Sequence, residues 1–188
     1  MRPQEHVKFS AIAATAAWPW LKKDVWIPFA ASILIDADHY LWHAITQRTL
    51  SARAAVRYYR QANSPQRPEM RLLHQPVVLG LLLFLAVRTR SRLLSLIFAG
   101  LLFHVSLDRY HSTQMRSLKH NLNVQASFTC PTCGKKHAEL ELHTVRRPQH
   151  LLDHYSPRNF IVLCPECHRA AHQAAREKLL ATGTHQTA

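Results

Sequence analysis

Four cysteines in two pairs, Cys130-x-x-Cys133 and Cys164-x-x-Cys167, and fourteen histidines are the residues of this chain best suited to chemistry. Each Cys-x-x-Cys puts two thiolates on one tight turn. Two such pairs make the four-thiolate ligand set of a tetrahedral structural zinc ion. Disulfide pairing is the alternative; it belongs to oxidising compartments, and the sequence shows no secretory signal. Between and just after the cysteines lie His143, Asn159, His168 and His172. His168 and His172 are four apart on a predicted helix, so they share a face and can bind one ion. For His172 the alternative is an ordinary surface histidine.

A second constellation lies upstream: His6, Asp36-Ala-Asp38-His39, His74 and His104-x-x-x-Asp108-x-x-His111. His104, Asp108 and His111 stand at i, i+4 and i+7, one stripe of a helix. Asp36 and His39 stand at i and i+3 on another. Facing stripes of His and Asp inside a helical bundle make a pocket for one or two metal ions. Such a pocket hydrolyses phosphoesters by activating water beside the metal. Alternatively, these groups are paired buried polar residues that tie helices together, since unpaired burial would be expensive.

The elements that must position these residues are mostly helices, because glycine is scarce and leucine and alanine are abundant. The pattern predicts helices over 5–17, interrupted by Pro19, and over 25–46, with Pro28 in the first turn. A basic amphipathic helix is expected over 50–62, with Arg53, Arg57 and Arg60 on one side, then a loop over 63–69. Apolar helices follow over 71–87 and 92–115, and a linker over 116–127. Residues 138–145 alternate with period two and read as a strand that places His143 on one face with Glu141 and Glu139. A loop over 147–158, a second strand or extended turn over 159–163 and a helix to about residue 181 complete the chain. The fold class expected is mainly α: an N-terminal helical bundle (1–122) followed by a small zinc-bound ββα finger (126–185).

Charge and hydropathy narrow the partners. Lys and Arg number 24 against 11 Asp and Glu, a formal net charge of +13. Residues 1–125 hold 16 of the basic and 6 of the acidic residues, so the stronger cationic field is N-terminal. That field favours nucleic acid or an anionic membrane surface; the bland reading is a solvated basic face. The apolar stretches Val77–Val87 and Leu93–Leu107 fall short of the ~20 residues that span a bilayer. A buried bundle and a membrane-associated one both remain open. Arg clusters at helix ends suit lipid headgroups as well as nucleic acid.

The string Leu140-Glu-Leu-His143 … Asn159-Phe-Ile-Val-Leu-Cys164-Pro-Glu-Cys167-His168-x-x-x-His172 resembles the HNH endonucleases, or His-Me finger nucleases, over residues 126–176. The resemblance implies a ββα finger that holds one divalent ion (Mg or another) against a scissile phosphate. It implies metal ligands at His143, His168 and His172, and Asn159 as the orienter of the catalytic histidine or of the inter-strand loop. The family places its general base directly after the first strand ligand, and there this chain has Thr144. Three readings follow: His143 is the base in a shifted register, His150 or His154 reaches in from the loop, or the finger is a non-catalytic adaptor. The segments Ile35-Asp-Ala-Asp-His39, Leu73-His74 and Phe103-His104-x-x-x-Asp108 are similar to bacterial membrane-bound metal-dependent hydrolases over residues 5–112. Gln75-Pro76 departs from that family's usual His-Ser.

The leading expectation is a metal-dependent nuclease whose work falls to the finger: His143, Asn159 and His168 would be catalytic, and Cys130, Cys133, Cys164 and Cys167 would hold structural zinc. The alternatives are a membrane-associated phosphoesterase run by the N-terminal His/Asp site, or a zinc-finger component of a larger nucleoprotein assembly with protein partners. Location is expected to be cytoplasmic, with association to the inner face of the membrane as a variant.

Overall fold

The structure, a computed structural model, describes residues 3–59, 72–146 and 153–183. Arg60, the expected loop over 63–69 and His150 lie outside the described residues. Helices dominate, with one small two-stranded antiparallel sheet. The chain divides into two compact units, Met1–Tyr110 and His111–Ala188.

In the first unit, α1 (Pro3–Leu21) is followed by a 3₁₀ turn (Lys22–Val25) and α2 (Trp26–Leu34). Pro19 lies inside α1 only two residues before its end, so it does not interrupt the helix where expected. Pro28 sits in the first turn of α2, where its missing N–H goes unneeded. The Ser32 hydroxyl donates to Ser10 Oγ at 2.9 Å, joining α1 to α2. The single helix expected over 25–46 is two: the chain turns at Ile35–Asp36 before α3 (Ala37–Gln47). The turn is held from outside, because the Leu73 N–H donates to Asp38 Oδ2 at 3.1 Å.

Next come α4 (Ala52–Tyr59) and α5 (Pro76–Thr89), which opens on a proline at its first position and closes at Arg90 in the left-handed region. Helix α6 (Arg92–Gln125) runs through the boundary between the units. A Cβ at Gly100 would lie 2.3 Å from the Pro28 carbonyl oxygen, so only glycine lets α6 meet α2 this closely. Ile35, Leu79 and Leu101 form the buried core beside these contacts. By length and composition alone, α6 is apolar enough to cross a membrane.

In the second unit, the linker expected over 116–127 is instead helix as far as Gln125. Leu118 is buried and Leu122, one turn on, packs against the core of Cys130, Leu140, Val162, Leu163 and Cys164. That packing supplies a reason for the helix to continue. Strand β1 (Glu141–Thr144) pairs antiparallel with β2 (Phe160–Leu163), placing His143 opposite Ile161. Helix α7 (Pro165–Gly183) follows directly. Both strands are shorter than the alternation predicted.

Candidate metal centres

The four cysteines converge. Their sulfurs lie within 4.8 Å of one another, and all four are free thiols. A tight turn builds the first half: the Gly134 N–H donates to the Cys130 carbonyl at 2.9 Å, and Gly134 takes φ +71°, which suits a residue without a Cβ. The start of α7 builds the second half. Cys133 Sγ and Cys164 Sγ are 3.8 Å apart, far beyond a disulfide bond. Four sulfurs bound at ~2.3 Å in a tetrahedron would stand about 3.8 Å apart, so the spacing suits an ion at their centre. Burial raises the Cys130 pKa, but amide N–H groups of Cys164, Cys133 and Thr132 outweigh it and hold this thiol at about 6. Cys167, sharing protons with its neighbours, is pushed up to about 12. The quartet thus gathers four sulfur donors that can hold a metal, and Cys130 is the one already held toward the thiolate.

In the same unit His143, His168 and His172 bring one ligand atom each within 4.8 Å of the others. His168 Nδ1 bonds to Glu141 Oε2. An ionised carboxylate only accepts, so Nδ1 carries the proton and Nε2 keeps its lone pair. That Nε2 lies 3.0 Å from His172 Nε2. Two nitrogens bound at ~2.1 Å and so spaced subtend roughly 90° at an ion, the cis angle of an octahedral shell. His143 Nδ1 is buried and has no hydrogen-bond partner among the described residues. Burial, then the charges of His172 and His168, push the His143 pKa down, which keeps it in the neutral form that ligates. Thr144, the next residue on the strand, is exposed.

Asn159 is buried, and its amide Nδ2 donates to the Asp153 carbonyl at 2.7 Å, so it ties down the end of the inter-strand connection. His154 meets His111 at a tilt and Tyr155 edge-on, at ring centroid distances of 5.3 Å and 4.9 Å.

The first unit gathers seven of the eight upstream candidates in three overlapping groups: His6, His104 and Asp108; Asp36, His74 and His104; Asp38, His39 and His74. His104, fully buried, is the centre. Its Nδ1 lies 2.6 Å from the Ser32 carbonyl oxygen, which can only accept. The proton is therefore on Nδ1 and the Nε2 lone pair faces inward. Asp36 Oδ1 is 3.6 Å from both His104 Nε2 and His74 Nε2, and Asp108 Oδ2 is 3.8 Å from His104 Nε2. Donors 3.6 Å apart that bind at ~2.1 Å subtend roughly 118° at an ion, an open four-coordinate angle. His6 stacks on His104 at 4.0 Å, and its Nε2 lies 3.1 Å from Asp108 Oδ1.

Asp38 has a different part. Its Oδ2 accepts from His74 Nδ1 at 3.3 Å and its Oδ1 bonds to His39 Nδ1. A neutral imidazole cannot carry a proton and a metal on one nitrogen, so with Nε2 turned to Asp36 and His104, His74 is oriented by Asp38. Burial raises the Asp38 pKa, yet hydrogen bonds with His39 and His74 more than offset it and hold the carboxyl well below the usual range. Asp108 is likewise held low, burial being outweighed by His6 and His104. Burial lowers the His104 pKa, with Asp36 opposing. His74 Nε2 and His104 Nε2 are buried without a hydrogen-bond partner among the described residues, aimed at the Asp36 oxygen.

His111, the eighth candidate, is placed apart. Its Nδ1 lies 3.0 Å from the Tyr155 hydroxyl, in the second unit. It belongs to none of the three groups of converging donors. Two orienting groups escaped the sequence reading. The alternation of the strand put Glu141 on one face with His143, but not its bond to His168. The Ser32 carbonyl is backbone and leaves no mark in sequence. Known protein families, curated proteins and solved structures offer no match to this chain.

Proposed function

We infer that the protein is a metal-dependent hydrolase of phosphoesters, with its cleaving centre at the His/Asp cluster of the N-terminal unit. The observation that carries this reading is the aim of two buried imidazoles, His74 and His104, at one oxygen of Asp36, each with its other nitrogen fixed by an acceptor. Such prearranged imidazole nitrogens beside carboxylates are what a hydrolytic metal requires. A divalent ion there supplies Lewis acidity and an activated water. His104, His74, Asp36 and Asp108 would hold it, and His6 would hold Asp108 in place. In this reading the four cysteines bind structural zinc and the strand–strand–helix unit is an accessory finger of HNH-like form.

The finger supports a second reading, nuclease activity, because His143, His168 and His172 also converge and Asn159 secures the connecting loop. It ranks second because Thr144 offers no base of useful pKa at neutral pH. One set of variants separates the two. With a soluble phosphodiester and with plasmid DNA as substrates, Asp36→Asn and His104→Ala should each lower hydrolysis by more than ~100-fold, since loss of an orienting partner alone costs 10–100-fold. His168→Ala should leave it intact. The opposite pattern would move the activity to the finger.

A further inference from the structure

The turn that joins α1 to α2 gathers indoles and cations in place of histidines and carboxylates. Trp18, Trp20 and Trp26 stand 49%, 80% and 58% exposed around the 3₁₀ turn that joins α1 to α2. Lys22 and Lys23, both exposed, lie between them. Arg92 Nη2 bonds Asp24 Oδ2 at 2.8 Å, which brings the α5–α6 turn, with exposed Arg88 and Arg90, to the same end. Exposed apolar side chains continue from this rim: Phe84, Leu85 and Val87 on α5, and Leu93 on α6. Along α6, His104 lies about 18 Å from Arg92.

We propose that this rim seats the N-terminal unit on an anionic lipid surface. The indoles lie at headgroup level, where a ring with one polar edge is most stable. The rim's five cations against one anion, Asp24, face lipid phosphates. The apolar residues just beyond the rim enter the acyl region, which removes them from water. A nucleic acid could use the indoles for stacking and the cations for phosphates. It would leave the adjoining aliphatic patch wet, and that patch decides between the two. The inference stands independently of what the His/Asp cluster cleaves.

The test uses the full chain and vesicles of phosphatidylcholine, alone or mixed with phosphatidylglycerol. A Trp42→Phe background leaves the rim indoles as the only tryptophans. Co-sedimentation with the mixed vesicles, a blue shift of indole emission on binding, and weakening as salt rises are expected. Replacing Lys22 and Lys23 by alanine should weaken binding about 30-fold, at ~1 kcal/mol per cation near the surface. Trp20→Ala with Trp26→Ala should also reduce it. Equal binding to neutral vesicles, no emission shift, or preference for an oligonucleotide over lipid would overturn the proposal. The wild-type vesicle comparison decides this even if a variant fails to fold.

Discussion

Replacing Asn123 by alanine should unfasten the second unit. Asn123 is 2% exposed, and its side chain grips the residue before β1 on both sides. Its Oδ1 accepts from the Leu140 N–H at 2.8 Å, and its Nδ2 donates to the Leu140 carbonyl at 3.3 Å and to the Lys119 carbonyl at 2.8 Å. Leu140 is fully buried in the core that holds Cys130 and Cys164. Alanine leaves the Leu140 N–H and C=O buried without partners, at about 1–3 kcal/mol for each. The 3.3 Å bond is long and contributes less, so a loss of about 3 kcal/mol is expected. For a unit of this size that lowers the thermal midpoint by roughly 12–24 °C. Circular dichroism melts of the metal-saturated protein would measure it, with zinc release to a chromophoric chelator followed in parallel. A loss below ~1 kcal/mol would mean that the helix–strand junction is held by something other than this amide.

Other consequences can be checked as directly. Glu141→Gln should weaken metal binding at His143, His168 and His172 by 10–100-fold, because the Nδ1 proton of His168 loses its charged acceptor; calorimetric titration reads this, and unchanged affinity would refute it. Gly100→Ala should destabilise the N-terminal unit by ~1–3 kcal/mol in urea, since the new methyl group meets the Pro28 backbone rather than a yielding side chain. Burial holds the folded pKa of His104 and His143 below the usual imidazole value, so the unfolded chain binds more protons. Their contribution to the stability of the metal-free protein is therefore complete above about pH 6.5 and is lost as pH falls through the lowered folded values. Denaturant midpoints compared between pH 7 and pH 5 should fall, and a rise would contradict the assignment.

The cysteine spacing and the helix-face pairing of His168 with His172 were legible because both follow from local geometry that the chain writes at short range. The upstream cluster was legible as residue types but not as an arrangement. Nothing in Ile35-Asp36-Ala37-Asp38 announces a turn between two helices, since its stabilising bond comes from Leu73, 35 residues on. The end of α6 was misplaced for the same reason: the residues after 115 look polar and loop-like, and their helix is fastened by Leu140. Face periodicity put His111 on one stripe with His104 and Asp108, and its Tyr155 partner, 44 residues on, could not be read there. The two tautomers at His104 and His168 needed atoms, one of them a backbone carbonyl.

Elemental analysis of metal per chain tests the account most directly, made on the wild type, on His104→Ala and on a variant with all four cysteines replaced by serine. An ion beside His104 should disappear in the first variant while the cysteine-bound ion stays, and the converse should hold in the second. If the wild type carried metal at the cysteines alone, and His104→Ala changed nothing, the N-terminal cluster would be a set of structural polar contacts and the proposed hydrolysis would have no centre.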